Sequence, residues 1–184
     1  MAEVNKFDNK RRSEKQNRGR RDDRKREDDG LVKVMVDLRL VQKVVKGGRT
    51  PSYSALCVVG DKKGRVGVGT GKARETTNAM EKGFNAAKKH MVSITLAGTT
   101  IPHEISKKYG ASRVDLKPAK PGTGVIAGGA ARPVLELAGI KDITAKNHGS
   151  NNKINTVRAT FEALKALQSA EVVAANRGKA TEDL

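Results

Sequence analysis

The sequence contains very little cysteine and few aromatic residues. Cys57 is the only cysteine among 184 residues, and tryptophan is absent. A single cysteine cannot form a disulfide within the chain, and Cys57 has no cysteine or histidine at zinc-ligand spacing, so we expect a buried apolar side chain. Aromatic residues make up 3% of the chain. This scarcity argues against proteins that stack single-stranded bases on aromatic side chains.

Long hydrophobic runs and catalytic groupings are also missing. No apolar run approaches the roughly 20 residues that a membrane-spanning helix needs, and the charged N-terminus lacks the apolar stretch of a secretory signal. We therefore expect a cytoplasmic protein without membrane contact. The three histidines, His90, His103 and His148, are scattered, and no nucleophile has an evident base beside it. The sequence predicts no enzyme, no metal and no cofactor.

Acidic residues are scarce relative to basic ones. The chain has 37 Lys and Arg against 20 Asp and Glu, a net charge of +17. Residues 1–30 hold 11 basic and 8 acidic residues with almost nothing apolar, which predicts a disordered charged extension. Residues 31–184 hold 26 basic and 12 acidic residues, so a charge of +14 belongs to the part that can fold. Nucleic acid is the commonest partner of such a protein.

Two blocks of strands and helices follow the extension. The first block has strands near 31–45, 54–59 and 65–69, a flexible basic loop at 46–49, and a helix at 72–90. Its expected buried stripe consists of Ala73, Thr77, Met80, Phe84, Ala87 and Met91. The second block has strands at 93–96, 101–105, 113–117 and 142–146, a short helix at 131–138, and a long helix from 152. Blocks ordered in this way favour an α+β fold.

Two glycine-rich segments resemble nucleotide-binding loops. A phosphate-binding loop aligned on the segment Gly67–Ala73 would need its first glycine at the preceding position, which is Val66. It would also need a magnesium-binding hydroxyl at the last position, which is Ala73. Both departures argue against a triphosphatase, although amides at a helix start beside Lys72 and Arg74 suit one backbone phosphate. The glycines of the segment 122–128 follow a proline-bounded turn rather than a buried strand. Close backbone packing or contact with a partner explains these glycines better than a dinucleotide-binding loop does.

Several motifs, in order, resemble those of the bacterial small-subunit ribosomal protein number five, the universal S-five family. They include 43–49 (KVVKGGR), 64–67 (GRVG) and 71–75 (GKARE) in the first block. In the second block they include 122–129 (GTGVIAGG), 138–140 (AGI) and 155–160 (NTVRAT). The resemblance extends over about residues 31–179.

The resemblance implies a fold, a function and partners. It implies an N-terminal double-stranded-RNA-binding-type β-β-β-α domain at 31–97, a C-terminal α+β domain with a left-handed β-α-β crossover at 98–170, and a tail at 171–184. Members of the family bind 16S ribosomal RNA, support assembly of the small subunit and influence decoding accuracy. The implied neighbours are ribosomal proteins number four and number eight. The loop 42–49 is expected to approach the RNA helix near which spectinomycin binds.

Candidate site residues follow from charge and resemblance together. The RNA-binding candidates are Lys43, Lys46, Gly47, Gly48, Arg49, Arg65, Lys72, Arg74, Lys82, Lys88 and Lys89. The protein-interface candidates, at positions that the family uses near protein number four, are Gly122, Gly124 and Arg132. Because a cation near a helix start opposes the helix dipole, we expect Arg132 to have an acceptor on another molecule.

Two other functions compete with a ribosomal role. A free-standing double-stranded-RNA-binding protein or RNA chaperone explains the charge but leaves the second block without a purpose. A nucleotide-dependent enzyme explains only the glycines.

Overall fold

The computed structural model describes residues 30–178, which contain two four-stranded sheets and four helices. The strands are β1 (Val32–Val45), β2 (Gly48–Gly60), β3 (Arg65–Ala73), β4 (Val92–Ser93), β5 (Ile105–Tyr109), β6 (Ser112–Pro118), β7 (Val125–Ile126) and β8 (Ile143–Gly149). The helices are α1 (Thr76–Lys89), α2 (Arg132–Ala138), α3 (Lys153–Lys165) and α4 (Ala170–Arg177). All but the last residue of the predicted extension 1–30 lies outside the described residues.

The first sheet is antiparallel in the order β1-β2-β3-β4. Val45 pairs with Gly48, so only Lys46 and Gly47 form the turn between β1 and β2. The prediction of a flexible loop at 46–49 is therefore wrong, because Gly48 and Arg49 already belong to β2. Strand β3 pairs with β2 only as far as Tyr53. Residues 41–52 consequently form a two-stranded projection, which we call the arm.

Helix α1 lies unusually close to β3. A Cβ atom added at Gly67, Gly69 or Gly71 would collide with the backbone of α1. The helix presents a matching row of small residues, since its buried positions are Ala79, Gly83 and Ala87. The expected stripe is thus partly wrong, because larger residues such as Met80 flank the contact. Strand β3 continues to Ala73, so α1 begins at Thr76, four residues later than predicted.

The second sheet has the order β5-β6-β8-β7, with β7 parallel to β8. Helix α2 lies between β7 and β8 in the chain, which gives the β-α-β unit that the resemblance implies. Gly139 ends α2 in the left-handed conformation, and the amide of Ile140 donates to the carbonyl of Leu135 at 3.2 Å. The side chain of Asn152 caps α3 by accepting from the amide of Ile154 at 3.2 Å. These helix ends agree with the helices predicted at 131–138 and from 152, and the order of strands and helices confirms the α+β fold.

Differences from the predicted elements are confined to short segments. The expected strands at 93–96 and 101–105 shrink to the two-residue β4 and to β5, which begins only at Ile105. Part of the expected tail at 171–184 is helical, because Ser169 caps α4 by accepting from the amide of Val172. Sequence reasoning did not predict this helix.

One large hydrophobic core joins the two sheets. It contains Leu56, Val58 and Val66 of the first sheet together with Val134 and Leu137 of α2, all nearly inaccessible to solvent. A smaller cluster beneath α1 holds Ala55, Cys57 and Ala79. Cys57 is buried as expected, and desolvation raises the pKa of its thiol to about 11. The thiol is therefore neutral and packs as an apolar side chain.

Candidate nucleic-acid interface

The arm ends in three exposed cations that have no carboxylate partner. Lys43, Lys46 and Arg49 form no ion pair or side-chain hydrogen bond with any residue in the range 30–178. Lys43 pairs with Thr50 and Arg49 with Val44, so these two cations lie on opposite faces of the ribbon, with Lys46 in the turn. The tip therefore carries positive charge on every side. The glycines Gly47 and Gly48 are exposed there as well.

The arm and the residue just before it also expose apolar side chains that sequence reasoning did not single out. Leu40 is 53% exposed and Val44 is 75% exposed. The alternation along β1 places both on the same face, which is the face of the sheet that α1 covers further along. An apolar face beside unpaired cations is typical of a segment that contacts a partner.

A basic cleft lies where the arm leaves the sheet. It has a volume of about 580 Å³ and is lined by Ser52, Lys72, Ala73, Arg74, Glu75, Asn78 and Lys82. Its one carboxylate, Glu75, accepts a hydrogen bond from Asn78 Nδ2 at 2.6 Å. Glu75 is also the N-cap of α1, yet it makes no side-chain capping bond. Three cations and the start of a helix thus converge, an arrangement that favours an anion.

The remaining RNA-binding candidates lie at the opposite end of α1. Arg65 is engaged within the protein, because its Nε donates to Asp61 Oδ2 at 2.7 Å. Burial alone would raise the pKa of Asp61, but hydrogen bonds from Arg65 and from the Lys63 amide hold it below its usual range. Lys88 and Lys89 occupy the last turn of α1, where cations stabilise the helix dipole. The structure therefore divides the candidates among the arm tip, the cleft and this distant end.

The glycines of β3 do not form a phosphate loop. Gly67, Gly69 and Gly71 belong to a regular strand, and their bare faces are covered by α1. The close packing of α1 accounts for these glycines, so the likeness to a nucleotide-binding loop has no structural counterpart.

The protein-interface candidates lie in the second half of the chain. A Cβ atom at Gly122 or Gly124 would meet nothing within 4 Å, so this loop faces open space. Arg132 has a partner that sequence reasoning did not foresee, since its Nε donates to Glu136 Oε1 at 2.8 Å within α2. The expected acceptor on another molecule stays a prediction, and Glu136 is an internal partner beside it. Both side chains are about half exposed, so the pair contributes little to stability.

Two aspartates that were not predicted as functional, one in each half of the molecule, bond to residues of the second half. Asp142 is buried and accepts hydrogen bonds from the amides of Gly122 and Gly124. Asp37 of β1 accepts from Lys153 Nζ of α3 at 2.9 Å. In the sequence, both contacts are indicated only by an aspartate that lies next to apolar strand residues.

The described residues contain neither a metal cluster nor a membrane helix. No group of three or more His, Cys, Asp or Glu side chains in the range 30–178 could hold a metal ion. Within the same range, no helix is long and apolar enough to cross a membrane.

Comparison with known proteins places the chain in one family. The profile of Ribosomal protein S5, N-terminal domain matches residues 31–95, and that of Ribosomal protein S5, C-terminal domain matches residues 107–177. The chain is 50% identical over 157 residues to the small ribosomal subunit protein uS5 of Azotobacter vinelandii, covering 85% of this chain and 95% of the relative. It is 52% identical over 158 residues to that of Acinetobacter baumannii strain AYE, covering 86% and 96% of the two chains.

The matched segments coincide with the two halves seen in the structure. The first covers β1 to β4 with α1, and the second begins within β5 and extends to the end of α4. These relatives are ribosomal proteins rather than enzymes. With both profiles matched in order and half of the residues identical over most of its length, this chain belongs to the ribosomal protein S5 family.

Proposed function

We propose that this protein is a structural constituent of the small ribosomal subunit that binds 16S ribosomal RNA through the arm and the cleft. It would act in the cytoplasm as part of the ribosome. The observation that carries the proposal is the arm tip, where Lys43, Lys46 and Arg49 are exposed without any carboxylate partner. Asp37 is the only acidic residue between residues 31 and 60, and it already contacts Lys153 and Arg39. The cations of the tip therefore remain available for phosphates.

The cleft provides a second contact for the same RNA. Strand residues rise by about 3.3 Å each, so the turn at Lys46 lies about 16–20 Å beyond Ser52 in the cleft. This reach allows the two basic sites to contact phosphates across one RNA groove or on neighbouring helices. Few aromatic residues are needed for such binding, because phosphates and helical shape are recognised rather than bases.

Sedimentation of a cell lysate tests the assignment against its alternative. The full chain should co-migrate with small subunits and remain there after washing with a non-ribosomal RNA duplex as competitor. A free-standing double-stranded-RNA-binding protein or chaperone would instead distribute over mixed RNA and be displaced by the duplex. That second outcome would overturn the ribosomal role.

We further propose that the loop containing Gly122 and Gly124, together with Arg132, faces ribosomal protein number four. Support comes from the open space around both glycines and from the family resemblance. A guanidinium has five N–H donors, so Arg132 can bond to a partner while retaining its hydrogen bond to Glu136.

Ribosomal protein number eight is a second proposed neighbour, through the C-terminal half. Spectinomycin is proposed to bind near the arm tip. Ribosomes that contain this protein with a shortened arm should therefore differ from wild type in their sensitivity to the drug.

Decoding accuracy tests this protein interface. Gly124→Arg places a bulky charge in the loop, and Arg132→Ala removes a hydrogen-bond donor. We expect both variants to assemble into subunits and to increase readthrough of a stop codon in a reporter, because they loosen a contact between two proteins. Lys107→Ala, an exposed change outside the loop, is the control. Readthrough equal to that of the control in both variants would contradict the interface.

A further inference from the structure

The loop that faces open space is held from beneath by one carboxylate. Asp142 is 5% exposed, and its Oδ1 accepts from the amide of Gly122 at 2.9 Å and from the amide of Gly124 at 3.0 Å. The side chain of Thr99 also bonds to this carboxylate. A single buried oxygen thus satisfies two loop amides that are two residues apart.

Backbone contacts complete the attachment of the loop. The amide of Ile143 donates to the carbonyl of Gly124 at 3.1 Å, and the amide of Asp142 donates to the carbonyl of Thr99 at 3.1 Å. The carboxylate therefore lies where the segments around residues 99, 123 and 142 meet. Its own position is fixed, because its main chain is bonded to one of these segments and its side chain to another.

A turn also shapes the loop, since the amide and the hydroxyl of Thr123 both donate to the carbonyl of Lys120, at 3.2 and 2.7 Å. Gly122 and Gly124 have φ angles of +89° and +76°, a conformation that side-chain-bearing residues rarely adopt. A glycine loses more conformational freedom on ordering than any other residue. No other atoms lie within 4 Å of the positions where their Cβ atoms would be. Asp142 is the side chain that bonds to the amides of both glycines, so it joins the Lys120–Thr123 turn to the residue that follows it.

We propose that Asp142 is the positioning residue of the interface loop, holding Gly122 and Gly124 in the conformation that meets the partner protein. The identity of the partner rests on the proposed function, whereas the hold on the loop rests on the geometry alone. Bonding from the Gly124 amide and the Thr99 side chain keeps the pKa of Asp142 below its usual value. The acceptor is therefore ionised at neutral pH, and hydrogen bonds to an ionised acceptor are stronger than neutral ones.

Amide hydrogen exchange in the full chain tests the hold on the loop directly. In Asp142→Ala, we expect the Gly122 and Gly124 amides to exchange about tenfold faster or more, since both lose a charged acceptor. Asp142→Asn retains an oxygen at the same place, so it should restore most of the protection. If Asp142→Ala does not fold, Thr99→Val removes only the supporting hydroxyl and should accelerate the same two amides to a smaller extent.

Asp61→Ala is the matched control. Asp61 is similarly enclosed and accepts from the amides of Lys63 and Arg65, so its removal damages a comparable turn elsewhere. We expect this variant to leave exchange at Gly122 and Gly124 unchanged. Unchanged exchange at these two glycines in Asp142→Ala, or equal acceleration in the Asp61 variant, would overturn the positioning role.

Reporter readthrough separates this role from the proposed interface. In ribosomes, Asp142→Ala should raise readthrough as Gly124→Arg does, Asp142→Asn should remain near wild type, and Asp61→Ala should have no effect. One outcome is faster amide exchange in Asp142→Ala with wild-type readthrough in both Asp142→Ala and Gly124→Arg. It would confirm that Asp142 positions the loop and would overturn the protein interface. Raised readthrough in Gly124→Arg with unchanged exchange in Asp142→Ala would support the interface and overturn the positioning role of Asp142.

Discussion

Among single residues, the glycines of β3 determine how closely α1 packs on the first sheet. Gly67, Gly69 and Gly71 leave one face of the strand bare, and the backbone of α1 rests directly against it. Close-packed interiors do not tolerate added volume where backbone meets backbone. The spacing between α1 and the sheet, and with it the position of the cleft, depends on these three residues.

Replacement of Gly69 by alanine should therefore be costly. The new Cβ would collide with the backbone of α1 near Gly83 and Ala87. We expect Gly69→Ala to lower the free energy of unfolding by about 2–3 kcal/mol, as overpacking does elsewhere. Chemical denaturation of the full chain measures this change.

Gly128→Ala provides the comparison for that measurement. Gly128 has open space at its Cβ position and its φ is not in the left-handed region. We expect its replacement to change the free energy of unfolding by no more than about 1 kcal/mol, and in the stabilising direction if at all. Similar losses in the two variants would show that α1 is not in close contact with β3.

At the scale of elements, an ion pair links β1 to α3 across 116 residues of sequence. Asp37 accepts from Lys153 at 2.9 Å and from Arg39 at 2.6 Å. Asn152, which caps α3, also accepts from Arg39 at 3.5 Å. Asp37, which precedes the arm by four residues, thus attaches β1 to α3 in the C-terminal half.

The pH dependence of stability should reveal this link. The hydrogen bond from Lys153 is the main cause that places the pKa of Asp37 below its usual value in the folded protein. Folding therefore favours the charged form, and its contribution is complete above the unfolded pKa of about 3.9 and is lost as pH falls through the folded pKa. The stability difference between wild type and Asp37→Asn should be constant above about pH 5 and should shrink at lower pH. A difference that stays constant down to pH 2 would contradict the link.

Local patterns account for the elements that the sequence predicted well. Alternation along Val32, Val34 and Val36 indicates β1, and the predicted helices at 131–138 and from 152 lie within one residue of α2 and of the start of α3. These signals are contained within a few neighbouring residues. The burial of Cys57 was predictable for the same reason, since a lone cysteine within an apolar strand has few other roles.

Contacts between distant segments could not be predicted in this way. Asp142 reaches Gly122 and Gly124 only because β7 lies beside β8, and Asp37 reaches Lys153 only because the two halves share a core. The start of α1 was misplaced because the glycines of β3 have low intrinsic strand propensity, and packing against α1 overrides that preference. Lys72 and Arg74 beside a helix start were predicted to suit a phosphate, but the whole cleft could not be predicted, since Ser52 and Lys82 join them only in the fold.

At the scale of the whole molecule, the two halves form one hydrophobic core. Leu56 and Val66 of the first sheet pack in the same cluster as Leu137 and Leu164 of the second half. We expect Leu137→Ala to lower the free energy of unfolding by about 2–5 kcal/mol, the usual cost of a large core truncation. Hydrogen exchange should show this loss in slow amides of both β2 and β6, because the halves unfold together. Loss confined to β6 would indicate independent domains.

The salt dependence of 16S ribosomal RNA binding tests the central claim most directly. Replacing Lys46 and Arg49 of the arm by alanine should weaken binding and reduce the slope of log K against log salt by about 0.7–0.9 for each lost phosphate contact. The control is Lys107→Ala with Lys165→Ala, which removes equal charge from exposed positions outside the arm and cleft and should leave the slope near that of wild type. A slope unchanged in the arm variant, or reduced equally in both variants, would contradict the assignment of the arm as the RNA-binding element.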